Sequence, residues 1–142
     1  IEICPPFPHM KPLLRNLKDA GVVVTIASSK RSNLVQVVID HHDLNDYFAM
    51  VVGAQEVTHH KPHPESVHVT VAKLDIPHEH TIVIGDSTFD LDMARNAGVD
   101  AIGVTTGVHT KEMLERSDPT HIVEDLVAVE KIILNGKNGR PI

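Results

Sequence analysis

Short runs of β-branched and aliphatic residues alternate along this chain with segments of helical periodicity, and this alternation constrains the fold most strongly. The runs have the length and composition of buried strands, and a helix between consecutive strands is typical of βαβ units. We therefore predict a doubly wound α/β domain with a parallel sheet covered on both faces. The predicted strands are VVVTIA (22–27), FAMVV (48–52), TIVIG (81–85), DAIGVTT (100–106) and, as an edge strand, HIVE (121–124).

The segments between these runs have the apolar periodicity of amphipathic helices. The first is expected to end at Gly21, a residue suited to the left-handed position after a helix, and Ser32 or Asn33 is the expected cap of the second. The predicted helices span residues 9–20, 32 or 33 to 42, 64–74, a segment that follows TIVIG and ends at NAG (96–98), 110–116 and 126–134, followed by a flexible tail at 135–142.

The length and composition indicate a single globular domain over residues 1–142. The net charge is −6 with histidines neutral, and Lys and Arg do not cluster, so neither nucleic acid nor a membrane is an expected partner. No apolar run is long enough to cross a bilayer. The one cysteine, Cys4, cannot form an internal disulfide, and we therefore expect a reducing, cytoplasmic setting.

Eleven histidines are many for a chain of this length. His59 and His63 have the four-residue spacing of the zinc-binding H-E-x-x-H motif, but the glutamate is absent and Pro62 disfavours a helix between them. We interpret the histidines as solvated side chains and assign no zinc site.

Polar side chains follow three of the predicted strands. Ser28 follows the first strand, Lys61 lies in the loop HHKPHP after the second, and Asp86 follows the third. Because the carboxyl ends of parallel strands meet at one edge of a sheet, these side chains are expected to converge there. A hydroxyl can hold phosphate oxygens, a lysine can neutralise developing charge, and carboxylates can hold Mg²⁺, which favours phosphoryl transfer. Asp90 lies one helical turn beyond Asp86 and can face the same way, whereas Asp92 is expected to face solvent.

Each of these residues also has an ordinary structural explanation. Ser28 is typical of a turn or a helix cap, Lys61 of a surface loop, and Asp86 with Ser87 of a helix N-terminus. Their succession at three strand ends, where α/β sheets bind ligands, is what favours a functional site.

The same residues resemble motifs of the haloacid dehalogenase superfamily of phosphohydrolases. Ser28, the KPHP segment with Lys61, and GDSTFD with Asp86 and Asp90 are similar to its second, third and fourth motifs. PPFPHMKPLLRNLKDAGVVVTIASSK resembles the segment that re-enters the core after the cap domain. GVTTGVHTKEMLERSDPTHIVEDL resembles the closing strand and loop of phosphoglycolate phosphatase-like and β-phosphoglucomutase-like members. The resemblance covers roughly residues 5 to 134 and implies a Rossmann-like core sheet.

The resemblance implies a role for each of these residues. Ser28 and Ser29 would bind the transferred phosphate, and Lys61 would be catalytic by steadying both the nucleophile and the phosphate. Asp86, the second catalytic residue, would be a direct Mg²⁺ ligand, and Asp90 would act behind it or through water. Two residues after the fourth strand resemble the family's loop near the site, namely Thr106 and Gly107.

The family's first motif, a strand ending in Asp-x-Asp and usually followed by Gly-Thr, has no counterpart in this sequence. By the resemblance, its first aspartate is the nucleophile and its second the general acid/base. The only Asp-x-Asp, Asp90 to Asp92, follows the predicted metal ligand and cannot take that role. The chain therefore resembles the C-terminal part of the core without its central strand and its cap. We expect two half-sheets with facing unpaired edges. The sequence leaves three outcomes open: a partner that carries the missing strand and cap fills the gap, the two halves close on each other, or the fragment is only marginally stable.

The resemblance implies part of a Mg²⁺-dependent phosphatase that hydrolyses a small phosphorylated metabolite, phosphoglycolate or a sugar phosphate, through an aspartyl-phosphate. A phosphomutase of the β-phosphoglucomutase type shares this core and is the alternative enzyme. A truncated, non-catalytic product or phosphate-binding module is a further alternative. A receiver-like signalling domain fits least, because it needs acidic residues where this chain has Ser28 and Ser29. Without the nucleophile, this chain alone is expected to be inactive.

Overall fold

Helices and strands alternate along the chain in the predicted order. The computed structural model describes residues 9–107 and 109–136. The helices are α1 (Met10–Asp19), α2 (Ser32–His41), α3 (Glu65–Leu74), α4 (Thr88–Ala97), α5 (Lys111–Glu115) and α6 (Leu126–Gly136). The strands are β1 (Thr25–Ala27), β2 (Met50–Val52), β3 (Ile82–Gly85), β4 (Asp100–Val104) and β5 (His121–Val123). No helix within the described ranges has the length and apolar character needed to span a membrane.

The strands form two separate parallel sheets. β1 pairs with β2, with Thr25 opposite Met50. The second sheet has the order β3–β4–β5, with Ile82 opposite Asp100. Within residues 9–107 and 109–136, no backbone hydrogen bond joins β1 to β3. The fold is therefore α/β with parallel strands, and the expected division into two half-sheets is present.

Helix α1 contributes to the cores of both half-sheets. Leu13 and Leu17 pack with β4 and α6. Leu14, on the same helix, packs with α2 and with side chains around β2. The other face of the β3–β4–β5 sheet is covered by α3, α4 and α5, with Leu91 and Leu114 almost completely buried. Each half-sheet thus has a packed core, and α1 connects the two.

An apolar cleft with a volume of about 470 Å³ separates β1 from β3. Residues 22–27 line one side, Ile82–Gly85 line the other, and side chains of α1, α3 and α6 complete its walls. Lys61, Asp86 and Asp90 line the cleft where β3 ends. The cleft therefore lies between two strand edges that have no hydrogen-bonded neighbour on that side among the described strands.

The first strand is shorter and less buried than the sequence predicts. Pairing begins at Thr25 rather than at Val22, and Val23 is 51% exposed. In β3, Ile84 is 38% exposed. A fully buried parallel strand has neighbours on both edges. Because β1 pairs only with β2 among the described strands, its other edge borders the open cleft.

Helix ends agree with the prediction at Gly21 and differ from it at the start of α2 and at the end of α6. Gly21, with φ of 80°, lies in the left-handed region next to Ala20, the C-cap of α1, as predicted. The N-cap of α2 is Arg31, which makes no capping hydrogen bond, and Ser32 instead donates its N–H to Gln55 Oε1 over 2.9 Å. Helix α6 runs to Gly136 rather than ending at residue 134. Residues 137–142 of the predicted tail lie outside the described residues.

We expect Leu91→Ala to lower the free energy of unfolding by about 3 kcal/mol, because it leaves a cavity around a side chain that is 1% exposed. The control is Phe89→Ala on the same helix, which should change stability by less than about 0.5 kcal/mol because Phe89 is 54% exposed. Urea unfolding followed by circular dichroism measures both. Equal effects of the two substitutions would contradict this description of the core.

Candidate active site

Lys61 connects the carboxyl ends of the two half-sheets. Its Nζ donates a hydrogen bond of 2.9 Å to the carbonyl oxygen of Ala27, the last residue of β1. It donates a second, of 2.6 Å, to Oδ1 of Asp90 in the first turn of α4. The side chains of this ion pair are 13% and 15% exposed, so it is largely shielded from water. Ser28 and Asp86, the residues that directly follow β1 and β3, lie at the same edge as Lys61.

Contacts to α3 and α4 hold the loop that carries Lys61. The carboxylate of Glu65, the first residue of α3, accepts hydrogen bonds of 2.8 and 3.0 Å from the backbone N–H groups of residues 58 and 59. Asn96 of α4 donates from Nδ2 to the carbonyl oxygen of Pro62 over 3.0 Å. The loop is therefore anchored on both sides of Lys61.

The hydrogen bond from the N–H of Thr58, followed by that from the His59 side chain, lowers the pKa of Glu65. The folded-state pKa is thus below that of the unfolded chain. The stabilisation is fully present above the ordinary glutamate pKa and is lost as the pH falls through the lowered value. We expect Glu65→Gln to reduce the urea midpoint at pH 7 and to have little effect below the lowered pKa. Glu79→Gln, at an exposed glutamate, is the matched control. A decrease in the urea midpoint of Glu65→Gln that is the same at all pH values would contradict this expectation.

Ser87 and Gly85 position Asp90. Ser87 is the N-cap of α4, where its Oγ accepts a hydrogen bond of 3.3 Å from the N–H of Asp90. The same hydroxyl donates to Oδ2 of Asp90 over 2.9 Å. A Cβ at Gly85 would lie 2.4 Å from the Cβ of Asp90, so this approach requires glycine. Both carboxylate oxygens of Asp90 thus have donors within the protein, and its predicted role behind a metal ion stays a prediction.

The carboxylate of Asp86 lies at the end of β3 and borders the cleft. Among the described residues, no hydrogen bond or ion pair reaches its oxygens. The loop after β4 approaches it closely, since a Cβ at Gly107 would lie 2.4 Å from Oδ2 of Asp86. Carboxylate oxygens free of protein donors are suitable ligands for a hard cation such as Mg²⁺. Asp86 therefore fits the metal ligand that the sequence predicts.

Ser28 belongs to the turn that follows β1. Its N–H donates to the carbonyl oxygen of Val52 over 2.9 Å, and its Oγ accepts a hydrogen bond of 3.1 Å from the N–H of Lys30. A hydroxyl that accepts one bond can still donate its hydrogen, here to a phosphate oxygen. Ser29, next to it, is exposed. The turn explains the conformation of Ser28, and phosphate binding by the two serines stays a prediction.

His109 is a site residue that the sequence did not indicate. Its Nδ1 accepts a hydrogen bond of 2.9 Å from the N–H of Thr88, at the start of α4. In a neutral ring, an accepting Nδ1 leaves the hydrogen on Nε2. The contact ties the loop that contains Thr106 and Gly107 to the helix that follows Asp86. His109 lies in the segment GVTTGVHTKEMLERSDPTHIVEDL, but the resemblance of that segment assigned it no role, and it contacts α4 only through the fold of this loop.

Comparisons with known proteins find one family across most of the chain. A family model described as haloacid dehalogenase-like hydrolase matches residues 2–104. The "Probable phosphatase IndB" of Dickeya dadantii (strain 3937) is 38% identical over 118 residues, which make up 83% of this chain and 51% of that protein. The "Putative pyrophosphatase PpaX" of Caldanaerobacter subterraneus subsp. tengcongensis is 33% identical over 124 residues, 87% of this chain and 56% of that protein. The crystal structure of "a predicted phosphoglycolate phosphatase" from Haemophilus somnus 129PT has a TM-score of 0.84 and 26% identity, over 89% of this chain and 56% of that chain.

The similarity covers most of this chain but only part of each relative. The chain spans about half the length of the curated relatives that it matches. The range of the family model contains Ser28, Lys61, Asp86 and Asp90, so these four predicted site residues lie within the matched region, whereas Thr106 and Gly107 lie beyond it. The chain belongs to the family of haloacid dehalogenase-like hydrolases.

Proposed function

We propose that this chain supplies the phosphate- and metal-binding part of a Mg²⁺-dependent phosphatase that hydrolyses small phosphate monoesters through an aspartyl-phosphate. The observation that carries the proposal is Lys61, whose ammonium group is held between Ala27 and Asp90 at the edge shared with Ser28 and Asp86. The family membership and the names of the relatives support the reaction class.

Each group at this edge would meet a different part of the reaction. The hydroxyls of Ser28 and Ser29 would donate to phosphate oxygens. The ammonium of Lys61 would balance the negative charge that the transferred phosphoryl group carries, while Asp90 keeps that ammonium in place. Asp86 would hold Mg²⁺, which, when bound, neutralises charge on phosphate oxygens.

A nucleophilic carboxylate must be added to this set. The oxygens of Asp86 are assigned to the metal, and those of Asp90 bond Lys61 and Ser87. Among the described residues, no base is a hydrogen-bonding partner of the Ser28 Oγ. We therefore assign the nucleophile to the first aspartate of a strand that enters the cleft between β1 and β3. The apolar walls and unpaired edges of the cleft suit a strand with apolar side chains on both faces.

The partner in this proposal is thus a segment with an Asp-x-Asp strand and a cap domain. By the family resemblance, the cap sets the choice of substrate. The relatives are named after pyrophosphate and phosphoglycolate, which are both small phosphate compounds. We assign phosphoglycolate or a sugar phosphate as the substrate class, with a cytoplasmic location in keeping with such metabolites.

An assay panel distinguishes the three functional hypotheses. The chain is assembled with a strand-and-cap segment from a full-length relative and is supplied with Mg²⁺. The substrates are phosphoglycolate, pyrophosphate, glucose 6-phosphate and β-glucose 1-phosphate. Release of inorganic phosphate supports the phosphatase. Interconversion of the two glucose phosphates without release would show a phosphomutase, and binding without either reaction would show a non-catalytic module.

We expect this chain alone to bind Mg²⁺ weakly, because Asp86 is the main protein ligand at this edge and Mg²⁺ gives up its water reluctantly. Isothermal titration calorimetry should give a dissociation constant well above the micromolar range. Asp86→Asn should abolish the remaining binding. Asp92→Asn should not, because Asp92 pairs with Arg95 over 3.3 Å and is the matched control. Micromolar affinity of the unaltered chain would contradict this expectation.

A further inference from the structure

Two histidines and a glutamate converge in the loop that carries Lys61. The rings of His59 and His63 are stacked, with centroids 4.5 Å apart. Nδ1 of His59 lies 3.0 Å from Oε1 of Glu65, and the N–H of Glu65 donates to Nδ1 of His63 over 3.1 Å. One ligand atom from each of the three side chains lies within 4.8 Å of the others. The loop thus brings together donors that no regular helix could align, given Pro62 between the histidines.

The chemistry of this donor set is that of a zinc site rather than a magnesium site. Two imidazole nitrogens and one carboxylate oxygen are common Zn²⁺ ligands, and an open fourth position can hold water. Mg²⁺ prefers oxygen ligands and would favour Asp86 instead. The two kinds of ion are therefore separated by ligand type.

The carboxylate of Glu65 is already oriented. Backbone N–H groups of residues 58 and 59 donate to its two oxygens, an arrangement that holds ligating carboxylates in metal sites. Donor atoms around tetrahedral Zn²⁺ lie about 3.3 Å apart, given bonds of about 2.0 Å. Because the three donor atoms lie within 4.8 Å of one another, closure around the ion requires the imidazoles to shift by at most about 1.5 Å. The side chain of His59 is 61% exposed, so the packed core does not prevent this movement.

In place of the solvated histidines that the sequence predicts, we propose that His59, His63 and Glu65 form a binding site for a single Zn²⁺ ion, with water as the fourth ligand. The ion replaces the hydrogen bonds that the two imidazoles now make to Glu65. Residues 59 and 63 flank Lys61 on both sides, so the bound ion closes a five-residue ring around it. The bound ion would hold the loop around Lys61 whether or not a nucleophile occupies the cleft.

Cobalt titration tests the proposal, because Co²⁺ in a tetrahedral site of nitrogen and oxygen donors has visible absorption. The chain, freed of metal with a chelator, should bind one equivalent of Co²⁺, and Zn²⁺ should displace it. A large excess of Mg²⁺ should leave the absorption unchanged. His59→Ala and His63→Ala should each weaken binding at least about tenfold, as expected on loss of one of three protein ligands.

His78→Ala is the matched control. His78 also faces a second histidine, with 3.2 Å between its Nε2 and Nδ1 of His68, but no carboxylate joins that pair among the contacts of the described residues. Its substitution should leave Co²⁺ affinity within about twofold. Equal weakening by His78→Ala and His63→Ala, or full binding by His63→Ala, would overturn the proposal in favour of adventitious binding to histidines.

A second measurement needs no substitution and is therefore unaffected by changes that a variant could cause in the loop. Imidazole ¹⁵N spectra of the unaltered chain, recorded during Zn²⁺ addition, report each ring separately. We expect large shifts of one nitrogen in His59 and one in His63, with small changes in His68 and His78. Shifts spread evenly over the histidines would overturn the proposal without any variant.

Discussion

Purified chain supplied with Mg²⁺ is expected to release phosphate from monoesters no faster than its Asp86→Asn variant. Uncatalysed hydrolysis of phosphate monoesters is among the slowest biological reactions, and a covalent intermediate divides it into two easier steps. Asp90 bonds Lys61 and Ser87, Asp86 is assigned to the metal, and neither is free to act as the nucleophile. Residual phosphate binding does not help, because equal binding of ground and transition states leaves the chemical step unchanged.

Phosphate release from phosphoglycolate and several sugar phosphates measures this rate. Both proteins are purified in parallel, so that a contaminating phosphatase raises the two rates equally. Turnover by the unaltered chain that disappears in Asp86→Asn would show that Ser28, Lys61 and Asp86 catalyse the reaction without an added carboxylate. Such a result would contradict the need for a strand in the cleft.

In the assembled enzyme, Lys61→Met is expected to lower kcat by about 10²- to 10³-fold, the usual loss when one preorganised charge-stabilising donor is removed. The substitution also leaves the mostly shielded carboxylate of Asp90 without its cation. Lys30→Met is the matched control, because Lys30 is exposed in the turn after β1 and contacts Ser28 only through its backbone N–H. We expect it to change kcat by less than about threefold.

Thermal unfolding of both variants separates a loss of chemistry from a loss of folded protein. Lys61→Arg adds a further comparison, since it keeps the charge but not the compact ammonium geometry between Ala27 and Asp90. It should be much less active than the unaltered enzyme at similar stability. Equal kcat values for Lys61→Met and Lys30→Met would contradict the role of Lys61.

The sequence predicts the elements of this fold well where local pattern and burial agree. Strand β4 forms over most of its predicted run. It lies between β3 and β5, and its residues Ala101, Ile102 and Val104 are buried, as its apolar sequence predicts. Strand β1 has a longer β-branched run, yet it pairs only from Thr25 onward. Strand length depends on the neighbouring strands as well as on the local sequence. Strand β1 is shorter than its β-branched run because one of its edges borders the cleft instead of another described strand.

The sequence also predicts only part of the candidate site: the positions of its motif residues, but not the contacts between them. Motif positions placed Lys61 and Asp86 at strand ends, and the order of the strands brings those ends to one edge. The bond between Lys61 and Asp90 could not be predicted, because it depends on a loop anchored by Glu65 and Asn96. His109 likewise reaches α4 only through the path of the loop after β4. Contacts set by loop conformation leave little periodic signal in the sequence.

The need for an added aspartate is tested most directly by assembling the chain with two versions of the strand-and-cap segment. One version has Asp-x-Asp-Gly-Thr, and the other has asparagine in place of the first aspartate. Phosphate release in the presence of Mg²⁺ is then compared between the two assemblies at equal occupancy, checked by size-exclusion chromatography. We predict turnover with the aspartate version and only background release with the asparagine version. Equal turnover by the two assemblies would contradict a nucleophile delivered through the cleft between β1 and β3.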